Sequence, residues 1–289
     1  MPSSNREYRD RLFTFIFGNS EHRDWTLELY NAVNDTNYTD PGEITITTIR
    51  EVLYLGMHND VSFLLTDEIN LYEQQSTYNP NMPLRMLQYL GSMYEKNVKE
   101  RRLNKYGRKL ITLPVPRLVV FYNGRDSIPS ETILRLSDSF PKNKEPDVDV
   151  RVRMVNINYG ENASLEKRCR PLREYAWTVE RIRENMRHMD TLRAVDEALE
   201  AMPKVFVIRP FLMAHKAEVR DMLLTEYDET EAMELFREEG RAEGRAEGRA
   251  ETLSTNIRSL MASLGCTAEH AMDLLAIPED ERERYAEMT

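Results

Sequence analysis

The stretch HNDVSFLLTDEINLYEQQSTY, residues 58–78, sets two apolar runs around a polar centre, with Asp60 at one end and Glu73 and Gln75 at the other. Short runs rich in β-branched and aromatic residues predict strands, and Thr66-Asp67-Glu68 between them predicts a hairpin turn. A turn about Asp67 and Glu68 puts Thr66 opposite Ile69, Ser62 opposite Glu73 and Asp60 opposite Gln75, with Asp60 diagonal to Glu73. Side chains on one face recur every second residue, so Asp60, Glu73 and Gln75 should project together. Two converging carboxylates repel, and partial burial makes it harder to ionise both. A hard divalent cation relieves this: Mg2+ or Mn2+ takes one or two carboxylates and fills its other positions with water and substrate phosphate. Such an ion lowers the pKa of a bound water and stabilises charge on a phosphate oxygen during in-line displacement. Asp60 and Glu73 are therefore candidate metal ligands and Gln75 a candidate water-positioning group, although an amide brings no positive charge. Spacing alone leaves a competing reading, a hairpin whose solvent side is merely polar.

The elements that must position these groups can be read from hydrophobic period. DRLFTFIFGNSEHRDWTLELYNAV predicts two short helices broken at Gly18-Asn19, and EITITTIREVLYLG predicts a strand from near Glu43. A helix should start near Asn81 and Pro83 and run to about Arg102, with Leu84, Leu87, Leu90, Tyr94 and Val98 as its apolar stripe. Arg85, Gln88, Tyr89 and Ser92 then share the other face, where Arg85 and Gln88 are candidate nucleic-acid contacts. PRLVVFYNG reads as a buried strand ended by a turn, and DVDVRVRMVNINY as a half-exposed strand. Together these predict a mixed α/β domain over residues 1–160. Residues 161–235 read as helices packing on or extending that core. FREEGRAEGRAEGRAET, residues 236–252, is a four-residue repeat, and residues 253–289 read as a helical pair turning at Gly265 with Thr267 as a cap.

The formal charge of −10 is unevenly spread. Residues 190–289 carry 23 acids and 12 bases, whereas residues 1–189 carry 26 acids and 27 bases. Residues 85–117 hold nine bases and two acids, and Arg101, Arg102, Lys105, Arg108 and Lys109 could track a phosphate backbone. A solvated helix end is the alternative for that cluster. Cys169 and Cys266 belong to no Cys/His cluster, which argues against a disulfide scaffold or structural zinc. No apolar run approaches the roughly 20 residues that span a bilayer, and the start lacks a long apolar leader, so a cytoplasmic address without a membrane partner is expected. In the repeat, Arg237, Arg241, Arg245 and Arg249 form one helical stripe and Glu239, Glu243, Glu247 and Glu251 another, out of phase by two residues. Each stripe stacks like charges, so either a second copy pairs with it in a homodimer or the segment is a solvated linker.

The order YRDRLFTFIFG, a strand, NDVSFLL…LYEQQ, the helix RMLQYLGSMY, PRLVVFYNG and a Gly-Arg-Glu repeat resembles the recombination-promoting nuclease and transposase family of the PD-(D/E)XK nuclease superfamily. The resemblance covers most of residues 6–289 and is strongest at 6–18, 59–94 and 116–124. It implies a restriction-endonuclease-like α/β core, a mixed sheet flanked by helices and followed by an all-helical C-terminal region. It also implies Mg2+-dependent DNA cleavage linked to recombination or mobile-element DNA. On this resemblance Asp60 and Glu73 are metal ligands, Gln75 stands where the signature lysine would be, and Asp10 matches an acidic position of the opening motif. Asn59 stands where the superfamily has proline, and Gln75 removes a cation that could stabilise the transition state. Two rivals follow: a DNA-binding or recombination-accessory protein with weak catalysis, and an interaction protein acting through its helical tail.

Overall fold

The computed structural model describes residues 12–46, 60–279, 282 and 285, without the side chains of 228–240, 242–243 and 246–247. Asp10, His58, Asn59 and the part of the expected first strand after Ile46 lie outside the described residues. Two short helices open the chain, α1 (Leu12–Phe17) and α2 (Arg23–Asn34), followed by β1 (Ile44–Ile46), β2 (Val61–Leu65) and β3 (Glu68–Gln75). Helix α3 (Met82–Glu100) leads into β4 (Val115–Tyr122), then β5 (Glu131–Arg135) and β6 (Arg151–Asn156). The remaining elements are helical: α4 (Ala163–Arg168), α5 (Arg170–Asn185), α6 (Thr191–Ala201), α7 (Arg209–Ala214), α8 (Lys216–Leu264) and α9 (Ala268–Leu274).

The strands form one mixed sheet in the order β1-β2-β3-β4-β6-β5. Neighbours β1/β2, β2/β3 and β5/β6 run antiparallel, while β3/β4 and β4/β6 run parallel. Parallel pairing of β3 with β4 requires a crossover, and α3 supplies it. Helices cover both sheet faces. Phe13, Phe17, Leu29, Phe63, Tyr72, Phe121 and Tyr175 belong to one apolar cluster, and Ile69, Leu71, Met86, Met93, Val120 and Met154 to another. Alternate residues of β3 and β4 enter different clusters, which is why LVVFY is a continuous apolar run rather than an alternating one. The mixed α/β class and its all-helical C-terminal region agree with the sequence reading; strand β5 was not anticipated.

Two expectations need correction. The hairpin turns on Thr66 and Asp67 alone, pairing Leu65 with Glu68, Phe63 with Asn70 and Ser62 with Leu71. The register therefore differs by two residues from the one expected, because the two-residue turn sits one position earlier, with Thr66 at a left-handed φ of 55°. A slip of two keeps every side chain on its face, where a slip of one would have reversed them all. The second correction concerns α3. Its buried face is Met82, Pro83, Met86, Tyr89, Met93 and Asn97, while Leu84 is 48% exposed. Met82, Met86, Tyr89 and Met93 recur at helical spacing, and the leucines flank that stripe; methionine fills the irregular space under the helix.

Glu68 anchors the start of β3. Its Oε2 accepts from the Tyr30 hydroxyl at 2.6 Å and its Oε1 from Arg117 Nε at 2.8 Å. Burial alone would push this carboxyl up, but the bonds from Arg117 and Tyr30 outweigh it and hold the pKa below the usual value. A depressed carboxylate contributes stability above its unfolded pKa and loses it as pH falls through the folded one. The stability gap between wild type and Glu68→Gln should be full above the ordinary glutamate range and close as pH falls below it, read from urea midpoints across pH. A gap independent of pH would refute it.

By contacts the chain divides into two units, residues 1–227 and 228–289. The second has its own small core of Ala250, Ile257, Ala271, Met272, Ile277 and Tyr285. Gly265 ends α8 with φ +64°, and the Thr267 hydroxyl accepts from His270 N at 3.3 Å, so the turn and cap lie where the sequence put them. No helix among the described residues is long and apolar enough to cross a membrane.

Candidate metal and phosphate site

At the carboxyl end of β3 the odd-numbered residues that pack under α3 change from apolar to polar, from Ile69 and Leu71 to Glu73 and Gln75. The observed register, extended by one pair past Val61–Tyr72, sets Asp60 directly across from Glu73 rather than diagonal to it. Asp60 sits at the bend where β2 begins, and its Oδ2 accepts from Gln74 N at 2.6 Å. The carboxylate thus takes over a backbone bond where the ladder ends, and this fixes it beside the Glu73 position. Glu73 is buried, with 2% of its surface exposed, and its Oε2 accepts from Gln75 Nε2 at 3.5 Å and Arg85 Nη2 at 3.4 Å.

Arg85 comes from the first turn of α3. Its Nη2 also donates to the Tyr89 hydroxyl at 3.0 Å, and Nη1 lies 3.4 Å from Met82 Sδ. Burial works against its charge, but Glu73, the Tyr89 hydroxyl and Asp60 together hold its pKa above the usual value. Burial raises the Tyr89 pKa, and the charges of Glu73 and Asp60 add to it while Arg85 opposes them. These couplings put Asp60, Glu73, Arg85 and Tyr89 in one electrostatic neighbourhood. Arg85 was expected on the outward face of α3; it lies at the edge of the inward face, and Tyr89 is buried under the helix, because the buried stripe is the methionine one. Gln88 is exposed and makes no contact here.

The donor set fits a hard divalent ion. Among the described residues no three His, Cys, Asp or Glu side chains gather, so the fit is to an ion held by two carboxylates that leaves its other positions to water and phosphate. Gln75, 9% exposed, adds a neutral amide beside them. Arg101 caps the far end of α3, sixteen residues and about 24 Å of helix from Arg85. Arg101, Arg102, Lys105, Arg108 and Lys109 are all exposed on the loop that follows, with Arg101 donating to Thr112 O and Lys105 paired to Glu95 at 2.6 Å. The structure therefore joins Asp60, Glu73, Gln75 and Arg85 in one site and sets the basic loop apart from it.

One supporting network was not foreseen. On the opposite face of β3, Gln74 Nε2 donates to Asn123 Oδ1 at 2.5 Å, and Asn123 Nδ2 donates to the Tyr175 hydroxyl at 3.1 Å. Arg183 donates to the Asn123 carbonyl and, at 2.8 Å, to Asn158 Oδ1. Asn123 N in turn donates to Gln75 O at 3.0 Å. The network ties the end of β4 to α5 and to the residue that carries the site amide. The Asn123-Gly124 pair was its only sequence signal, read simply as a turn. Compared with known proteins, the chain matches no family model, no curated protein and no solved structure.

Proposed function

We propose that the chain is a metal-dependent DNA endonuclease of the recombination-promoting nuclease and transposase family, hydrolysing phosphodiester bonds in the cytoplasm. The observation that carries this reading is the convergence of Asp60, Glu73 and Gln75 on one sheet face beside the Arg85 guanidinium. The element order, two helices, three antiparallel strands, a helix and a parallel strand, is also the one the sequence resemblance implies. Asp60 and Glu73 would hold Mg2+ or Mn2+, which when bound supplies a more acidic water and charge stabilisation at phosphate. Gln75 orients a water beside Glu73, and Arg85, partly exposed beside Tyr89, offers a planar donor fork to a phosphate. Asp10 remains a candidate outside the described residues. Gln88 and the basic loop are proposed as DNA contacts away from the chemistry, contributing salt-dependent affinity.

A second reading, a DNA-binding accessory protein with weak catalysis, draws on Gln75, whose amide lies beside Glu73 without bringing charge. Supercoiled plasmid incubated with Mg2+, Mn2+ or chelator separates the two. Nicking that needs metal supports the enzyme, and a salt-sensitive gel shift without nicking at any metal concentration refutes it in favour of the binder.

We also propose a homodimer through residues 236–252. The repeat lies within α8, Arg241, Arg245 and Arg249 are exposed, and a Cβ at Gly244 or Gly248 would meet nothing within 4 Å. An opposite-charge stripe from a second chain would offset the stacked like charges. The full chain should sediment as a dimer and a chain ending at Thr230 as a monomer. Equal sedimentation states would sink the pairing.

A further inference from the structure

Arg85 occupies the carboxylate that the proposed metal needs. Glu73 is nearly inaccessible, and the guanidinium that donates to it at 3.4 Å is 34% exposed. One partner is therefore fixed by burial while the other has room to turn outward. The Arg85 charge also acts on Asp60 as well as Glu73. With Arg85 in place, the two carboxylates present a net charge of −1 to an incoming cation, and that cation meets a like charge across the same oxygens. A phosphodiester offers the guanidinium a bidentate partner at least as good as the long bond it makes to Glu73.

We infer that Arg85 is a gate between the metal and the nucleic acid: it rests on Glu73 in the free protein, weakening metal binding, and transfers to the DNA phosphate when the strand enters, which opens the carboxylate pair. This inference rests on the nuclease reading and specifies how that site is regulated. Metal and DNA then bind cooperatively, because each favours the state in which Arg85 has left Glu73, and the coupling is reciprocal. The arrangement restrains a metal-loaded site from forming away from DNA. It also gives the site a mobile cation although Gln75 supplies none.

Calorimetric titration of the full chain with Mn2+ alone tests this. Arg85→Gln, which removes the charge but leaves both carboxylates and Gln75, should bind Mn2+ about tenfold more tightly than wild type. Arg85→Lys keeps the charge and should stay close to wild type. Adding a duplex with phosphorothioate linkages should tighten Mn2+ binding to wild type about tenfold more than it tightens binding to Arg85→Gln. Matched melting curves without metal establish that each variant is folded. Equal Mn2+ affinity in wild type and Arg85→Gln, or Arg85→Lys behaving like Arg85→Gln, overturns the gate while leaving the nuclease reading standing. Failure of Mn2+ to bind any of the proteins overturns that reading and the gate with it.

Discussion

Replacing Glu73 with glutamine should lower metal-dependent plasmid nicking by about a thousandfold while leaving the fold intact. A ligand to a catalytic ion contributes several kcal/mol of transition-state stabilisation, and each ~1.4 kcal/mol is tenfold in rate. Glutamine preserves shape, so the loss reports charge rather than packing. The stability readout separates this reading from a structural one. If the Arg85 bond at 3.4 Å existed mainly to hold α3 on the sheet, removing the carboxylate would lower the melting temperature. If Glu73 is a functional acid set against Asp60, glutamine relieves repulsion between opposed carboxylates, and the melting temperature should hold or rise. Arg85, partly in solvent, can rehydrate its charge, so little is lost on its side. Wild-type nicking rates in the variant would remove Glu73 from the chemistry; a lower melting temperature together with proportionate activity loss would return it to a structural role.

The site was legible in the sequence to the extent that it depends on parity. Asp60, Glu73 and Gln75 share a face under any register that differs by an even number of residues, so a turn placed one position too late still brought them together. What the sequence did not carry was the turn itself. Thr66, a β-branched residue, adopts a left-handed φ that its type disfavours, and local propensity argues against a turn placed on Thr66 and Asp67. The rotation of α3 was missed for a related reason. Leucine is the usual marker of a buried stripe, but here methionines fill the space above β3 and β4, and the leucines sit to either side. That rotation carries Arg85 to Glu73, so the residue read as a phosphate contact on the outward face lies instead against the carboxylate. The network through Gln74, Asn123 and Tyr175 depends on contacts between residues 49 and 52 positions apart, which hydrophobic period does not encode.

Substituting Gly124 tests whether that network holds the site in shape. A Cβ on Gly124 would lie closer than 3.0 Å to the Ser76 carbonyl and to the Tyr122 ring and hydroxyl. Neither neighbour can yield easily: one is backbone, and the Tyr122 ring is fully buried, with its hydroxyl accepting from Asp126 N at 2.9 Å. Gly124→Ala must therefore part the ends of β3 and β4, straining the Asn123 N to Gln75 O bond of 3.0 Å. Overpacking and strain of this kind should cost about 2–4 kcal/mol, a fall of about 10 °C in melting temperature for a unit of this size. Ser76 directly follows Gln75, so the same displacement moves the site amide. A shift of about 1 Å there should lower nicking roughly a hundredfold when assayed well below the melting temperature. The two losses separate packing from function: a destabilised protein that cuts at the wild-type rate in the cold would show that Gln75 tolerates displacement and is not a positioning group. An unchanged melting temperature would mean that the close approach of Gly124 to Ser76 does not shape the sheet edge on which the site is built.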